Sequence, residues 1–331
     1  MRVALVYRSY RKGGHSIEEL FSVIGAELAK SQEVIIYQVG SRWKLFLDSW
    51  RLWKLNADVY HITGDVHYFA VFLPWRRVVL TVHDINHYHD DLVGIRKFIF
   101  KWLWLILPLR TARVVTAISE DTRRDLSAHL KISADRIDVV RNCVAPRFDF
   151  RAKPFNERNP TILQIGTRPH KNVPRLVEAL QGMTCKLVIV GEIDARLYEK
   201  LIECQVNYEN FTNLRNDQLL EKYYQADLVA FVSLAEGFGL PIIEANAVGR
   251  PVLTSNISPM SDVAADAACL VYPRDVADIR NGIRKIITDA GYRDRLVSNG
   301  RRNATRFRAD AVTNEYLDIY RRITGNSFQS E

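Results

Sequence analysis

The apolar run Leu228-Val229-Ala230-Phe231-Val232-Ser233 is followed within two residues by Glu236-Gly237-Phe238-Gly239-Leu240-Pro241-Ile242-Ile243-Glu244. That order reads as a buried strand, a glycine loop and a helix opened by Pro241, because proline's missing N–H costs nothing in the first turn of a helix. The loop then presents backbone N–H groups to a ligand. Gly237 and Gly239 allow a close approach to the main chain, and the positive end of the helix favours a phosphate beside it. Glu236 falls at the strand's end and Glu244 in the first turn of the helix. Ionised carboxylates only accept hydrogen bonds and sugar hydroxyls can donate them, so the pair suits a ligand that carries hydroxyls as well as phosphates. A nucleotide-sugar is such a ligand. The alternative is a surface loop with solvated glutamates, since a strand, a glycine turn and a helix recur in every doubly wound fold.

A second stretch points the same way. Thr161 to Ile165 reads as a strand, Gly166-Thr167-Arg168-Pro169-His170-Lys171-Asn172 as the loop after it, and about Val173 to Leu180 as a helix. Arg168 and Lys171 stand three residues apart on the turn into that helix, where a diphosphate would also meet helix N–H groups. A solvated Arg/Lys pair is the alternative. No Gly-x-Gly-x-x-Gly is present, which argues against a nicotinamide enzyme.

Two glutamates with seven residues between them, enclosing Gly-Phe-Gly-Leu-Pro, resemble the signature of the retaining nucleotide-sugar glycosyltransferases of family four (glycosyl transferases group 1), of the bacterial surface-polysaccharide type. The resemblance spans essentially the whole chain. It implies an α/β chain with the GT-B fold, two Rossmann-like doubly wound parallel-sheet domains facing across a cleft. It gives Glu244 to the ribose hydroxyls, Glu236 to the donor sugar, and the loop Gly237, Phe238, Gly239 and Leu240 to the sugar and diphosphate. Arg168 and Lys171 match the family's basic pair, whose charge would neutralise the oxygen that becomes negative as the sugar leaves. The reaction it implies is metal-independent transfer with retention, by front-face displacement, and no residue is nominated as a covalent nucleophile. The nucleotide-sugar is a substrate, with UDP or GDP as the carrier, and no cofactor is expected.

Strands are expected at Arg2 to Tyr7, Glu33 to Gln38, Asp58 to Ile62, Arg77 to Val82, Val114 to Ala117 and Ile137 to Val140, with helices between, a parallel doubly wound pattern. The loop Arg8 to His15 contains Lys12-Gly13-Gly14. The resemblance places Gly14 near the donor phosphate and Gly13 on the acceptor side; a flexible turn is the alternative. After the fourth strand come three histidines and three aspartates in residues 83–91. Their spacing matches no standard metal site. The Val-His-Asp at this strand's end resembles the family's cleft histidine, which gives His83 a role toward the donor sugar and Asp84 one in orienting it or touching the acceptor. Ser119, before Glu120 and Asp121, reads as a helix N-cap.

Pro146, Pro154 and Pro160 interrupt a stretch of mixed charge, Ala145 to Pro160, that reads as an interdomain linker. The expected domains are residues 1–150, on the acceptor side, and 151–310, binding the nucleotide-sugar, with a terminal helix at about 311–325 packing back on the first. Further strands are expected at Val188 to Gly191, Pro251 to Ser255 and Ala268 to Tyr272, and helices at about Val276 to Thr288 and Tyr292 to Phe307.

Charge is uneven: residues 1–150 hold 22 Lys and Arg against 16 Asp and Glu, +6 of the chain's +8, and all six tryptophans. In Arg42 to Lys54, Trp43, Phe46, Leu47, Trp50 and Trp53 recur at helical spacing beside four bases, and Ile95 to Leu109 is a second basic aromatic stretch. An anionic membrane surface suits such helices, and burial of the aromatics in the core remains the alternative. Nucleic acid is set aside for want of any recognisable module. The longest uncharged apolar run, Trp102 to Leu109, is 8 residues against about 20 for a span. The four cysteines lie far apart and read as free thiols in a reducing compartment. The chain is therefore expected in the cytoplasm, or peripheral on the inner face of the cytoplasmic membrane. The acceptor implied is a glycan or a polyprenyl-diphosphate-linked glycan in surface polysaccharide or lipopolysaccharide O-antigen assembly. The alternatives are a non-catalytic nucleotide-sugar-binding subunit, or an epimerase or phosphorylase on the same fold.

Overall fold

The computed structural model describes residues 1–8, 16–40, 44–64, 66–83, 101–130 and 132–325. Two compact units divide the chain, one of Met1–Cys143 with Ala309–Glu331, the other of Val144–Arg308.

The first unit is a sheet of six parallel strands, β1 (Arg2–Tyr7), β2 (Glu33–Gln38), β3 (Val59–Ile62), β4 (Val78–Val82), β5 (Val114–Ala117) and β6 (Ile137–Val139), in the order β2-β1-β3-β4-β5-β6. β4 is Val-Val-Leu-Thr-Val and buried at every position. Strands covered on both faces read as continuous apolar runs, which is why the expected boundaries fall within a residue of those observed. The terminal helix, Ala309–Thr324, packs on the helix Ser16–Leu28. Val312, Tyr316 and Tyr320 of that helix share one core cluster with Leu5, Phe21 and Val79. A buried polar chain runs beneath it. The His61 ring bonds Tyr320 Oη at 2.6 Å through Nδ1 and Thr81 Oγ1 at 2.7 Å through Nε2, and Thr81 in turn bonds Thr116 at 2.7 Å. Burial, and then the neighbouring His83, hold the His61 imidazole down at about 3, so it is neutral.

The second unit repeats the scheme with β7 (Thr161–Ile165), β8 (Lys186–Val190), β9 (Tyr208–Phe211), β10 (Leu228–Phe231), β11 (Val252–Ser255) and β12 (Cys269–Val271), in the order β12-β11-β10-β7-β8-β9. β9 has no counterpart among the expected strands. The segment Ala145 to Pro160, expected as a linker, is laid against this unit instead. Phe148 is buried, Arg250 Nη1 donates to the Arg151 carbonyl at 2.9 Å, and Lys153 pairs with Asp227. All four cysteines are free and buried, and burial pushes the Cys143 thiol up to about 12. Among the described residues no helix is long and apolar enough to cross a membrane.

Candidate active site

In an open parallel sheet, ligands bind beyond the carboxyl ends of the strands where the strand order reverses. In the second unit that reversal lies between β7 and β10, which are neighbours although two strands, β8 and β9, separate them in sequence. The loop after β7 carries Arg168 and Lys171, and the loop after β10 carries Glu236 to Gly239. The two loops are joined: the Leu234 amide donates to the His170 carbonyl at 2.7 Å, and Lys171 Nζ donates to Glu236 Oε1 at 2.7 Å. Both side chains are mostly buried, 16% and 12% exposed. The Lys171 ammonium also stands 4.7 Å from the centroid of the Phe231 ring at the end of β10. Arg168 is exposed at the head of the short turn Pro169–Lys171. The structure therefore joins one member of the basic pair to the first glutamate and leaves the other facing solvent.

Asn172, unremarked in the sequence, holds these loops in place. It adopts a left-handed conformation, φ +60, which asparagine tolerates better than most residues. Its Nδ2 donates to the Val232 carbonyl at 3.0 Å and the Pro273 carbonyl at 2.6 Å, tying together the loops after β7, β10 and β12. The signal was available: an asparagine immediately before Val-Pro, where a helix begins.

The helix after the glycine loop spans Leu240–Val248 with Gly239 as its cap, so Glu244 stands one turn further in than the first turn expected for it. Glu244 is fixed from the side by Tyr223 of the helix Asn216–Gln225, whose buried phenol donates to Glu244 Oε2. Burial and the adjacent carboxylate raise the Tyr223 hydroxyl well above its ordinary value, so it remains a donor. Gly239 requires glycine, with φ +111 and a hypothetical Cβ 3.0 Å from Ile242 Cδ1. Gly237 does not adopt a positive φ. Phe238 turns its ring inward, edge-on to Phe307 at 5.7 Å, so what it offers a ligand is backbone.

In the first unit the strand order reverses between β1 and β3. His83, just past β4, is buried, and its Nε2 donates to the carbonyl of Thr63, the residue after β3, at 2.8 Å. A carbonyl can only accept, so Nε2 carries the proton. Ser119 caps the helix Glu120–Leu130 as expected, its Oγ accepting from the Thr122 amide at 3.1 Å. Gly13, Gly14 and Asp84 lie outside the described residues, as do His87 and His89. Among the described residues no three His, Cys, Asp or Glu side chains cluster as metal ligands do.

Gly166 sits directly under the lysine. It has φ +83, and a Cβ there would come within 2.9 Å of Lys171 Cε. Gly166→Ala is expected to push the lysine stem off Glu236 and weaken binding of a nucleoside diphosphate about tenfold, the effect of about 1.4 kcal/mol. Gly182→Ala is the control, because Gly182 has φ +70 and nothing within 4 Å, and so carries the backbone strain without the crowding. Calorimetric titration of both variants would show the difference; equal affinities would remove Gly166 from the site.

Comparison with known proteins gives the family. The family described as Glycosyl transferases group 1 matches residues 147–303, and Glycosyltransferase Family 4 matches residues 3–148. Together they cover nearly the whole chain, which belongs to this glycosyltransferase family and has its GT-B fold. Its curated relatives include the O-antigen chain mannosyltransferase B of Escherichia coli, 26% identical in an alignment 305 residues long that covers 82% of this chain and 76% of that one. The serotype-specific mannosyltransferase WbdA of Escherichia coli is 23% identical in an alignment 285 residues long that covers 78% of this chain but 35% of that longer protein. Among solved structures, Anabaena HepE in complex with UDP and glucose superposes with a TM-score of 0.76 at 16% identity, covering 96% of this chain and 99% of that one.

Proposed function

We propose that the chain moves a hexose from a uridine or guanosine diphosphate sugar to a glycan or polyprenyl-diphosphate-linked glycan in O-antigen or lipopolysaccharide assembly, with retention of configuration and without a metal. The observation that carries this reading is the Lys171–Glu236 pair at the reversal of the second sheet, framed by Gly239, the helix after it and the Tyr223-held Glu244. Lys171 would hold the diphosphate and offset the charge on the departing oxygen, with Arg168 swinging in from solvent beside it. Glu236, anchored through one oxygen, keeps its other for a sugar hydroxyl. Glu244 would take the ribose hydroxyls. His83, in its fixed tautomer, would serve the reactive side of the sugar, and Gly13, Gly14 and Asp84 the phosphate and acceptor. The leaving phosphate would take the proton of the acceptor hydroxyl; isolation of a glycosyl–enzyme adduct would overturn that step. The mannosyltransferase relatives and the UDP complex of HepE support the substrate classes.

The test is a panel of UDP-, GDP-, ADP- and dTDP-sugars, read as thermal shifts with and without EDTA. A ligand at a hundred times its Kd stabilises the native state by about 2.7 kcal/mol. One nucleotide class is expected to raise the melting temperature in EDTA, and Glu244→Ala and Arg168→Ala to abolish the rise. If no nucleotide acts, or neither substitution matters, the donor site is misplaced and a binding subunit without transferase activity becomes the better reading.

A further inference from the structure

The helix Leu45–Lys54 turns outward the residues that a core helix would bury. Its inner stripe is Leu45, Asp48, Ser49 and Leu52, anchored by Asp48, which accepts from Tyr37 Oη at 2.9 Å and the Gly40 amide at 2.7 Å. The aromatic stripe at i, i+4, i+7 faces solvent: Phe46 is 76% exposed, Trp50 53% and Trp53 62%. The stripe does not end at the helix. Phe46 meets exposed Phe72 edge-on at 5.7 Å, and Trp75, 50% exposed, follows with Arg76 over its ring at 5.0 Å. Three tryptophans and two phenylalanines in the open make an apolar face larger than scattered surface residues explain.

Charge identifies what covers it. Lys44, Arg51, Lys54 and Arg76 are exposed around the aromatics, and the Lys54 ammonium lies 3.7 Å over the Trp50 ring. Within residues 44–54 and 72–77 the one carboxylate is Asp48, which is buried. A second copy packed symmetrically on this face would bring these bases against one another, with no exposed carboxylate in either of the two segments to meet them. An anionic lipid surface meets both requirements: its phosphates take the bases, and its interface is where a tryptophan ring rests with its N–H still wet. We propose that this face of the first unit lies on an anionic lipid bilayer. The proposal uses no residue of the donor site and stands apart from the sugar-transfer reading.

The full-length chain would be sedimented with vesicles of phosphatidylglycerol and phosphatidylethanolamine, and with phosphatidylcholine vesicles as the neutral arm. Binding to the anionic vesicles is expected, at least tenfold stronger than to the neutral ones, and lost at about 0.5 M salt, where screening is short-ranged. Each base removed should weaken partition about fivefold, so Lys54→Glu with Arg76→Glu is expected to cost at least about 25-fold. Trp50→Ala with Trp53→Ala should weaken binding to the same vesicles and remove most of the blue shift in tryptophan emission. These side chains are exposed, so the melting temperature of both variants should stay at the parent's value. Equal partition to neutral and anionic vesicles, or variants that bind as the parent does, would overturn the proposal. So would a dimer in sedimentation equilibrium that Trp50→Ala with Trp53→Ala turns into monomer, which would make a second copy the occupant.

Discussion

Lys171→Ala is expected to lower kcat for sugar transfer by about 10²–10³-fold, the usual cost of removing one preorganised group that meets developing charge. Two effects would contribute. The ammonium is held among the loops where the sheet reverses, and its loss also strands Glu236, whose partner it is at 2.7 Å. A double variant separates them. If Lys171 does no more than neutralise Glu236, then Lys171→Met combined with Glu236→Gln restores affinity for the free nucleoside diphosphate. If Lys171 holds the diphosphate, that affinity stays low in the double variant. Initial rates and calorimetry with UDP and GDP would read both; a Lys171→Ala enzyme of parental kcat would remove the lysine from the chemistry.

The second large effect concerns the terminal helix. A chain ending at Arg308 loses Val312, Tyr316, Leu317, Ile319 and Tyr320, all buried in the core of the first unit. At about 1.5–3 kcal/mol for each large apolar side chain, the loss is on the order of 10 kcal/mol, comparable with the whole stability of a domain. The first unit is expected not to fold, while the second, which contributes nothing to that core, keeps its structure. Limited proteolysis should then leave a protected fragment beginning near residue 144, and parental resistance across residues 1–143 would contradict it. A gentler version is Tyr320→Phe, which leaves one nitrogen of the neutral His61 ring without its partner. The cost is expected at about 1–3 kcal/mol, from one buried polar atom left unsatisfied.

Most of this architecture could be read from the residues, and the exceptions have physical causes. Strands such as Val78–Val82 are apolar at every position because helices cover both faces of the sheet, and such runs stand out. β9 is Tyr-Glu-Asn-Phe at a sheet edge, half exposed, and offers neither a run nor an alternation strong enough to notice. The loops that build the candidate site are visible as glycines, prolines and charges. Their meeting at a reversal of strand order is not, since order is set by pairing between distant segments. Tyr223 reaches Glu244 across two helices, a contact with no trace in local pattern. The helix Leu45–Lys54 shows the limit most clearly: periodicity finds its aromatic stripe, but a stripe does not say which way it faces, and here the inner side is held by a buried aspartate.

The two-piece composition of the first unit, residues 1–143 with 309–331, also sets an order of events during synthesis. When a ribosome has made β6, the surface that will receive Tyr316 and Tyr320 is still bare, and the helix that covers it comes only after all of residues 144–308. At about 5–20 residues per second, that wait lasts roughly 10–30 seconds. In that interval the second unit has its whole sequence and can complete itself, so the half of the chain that is translated first is the half that matures last.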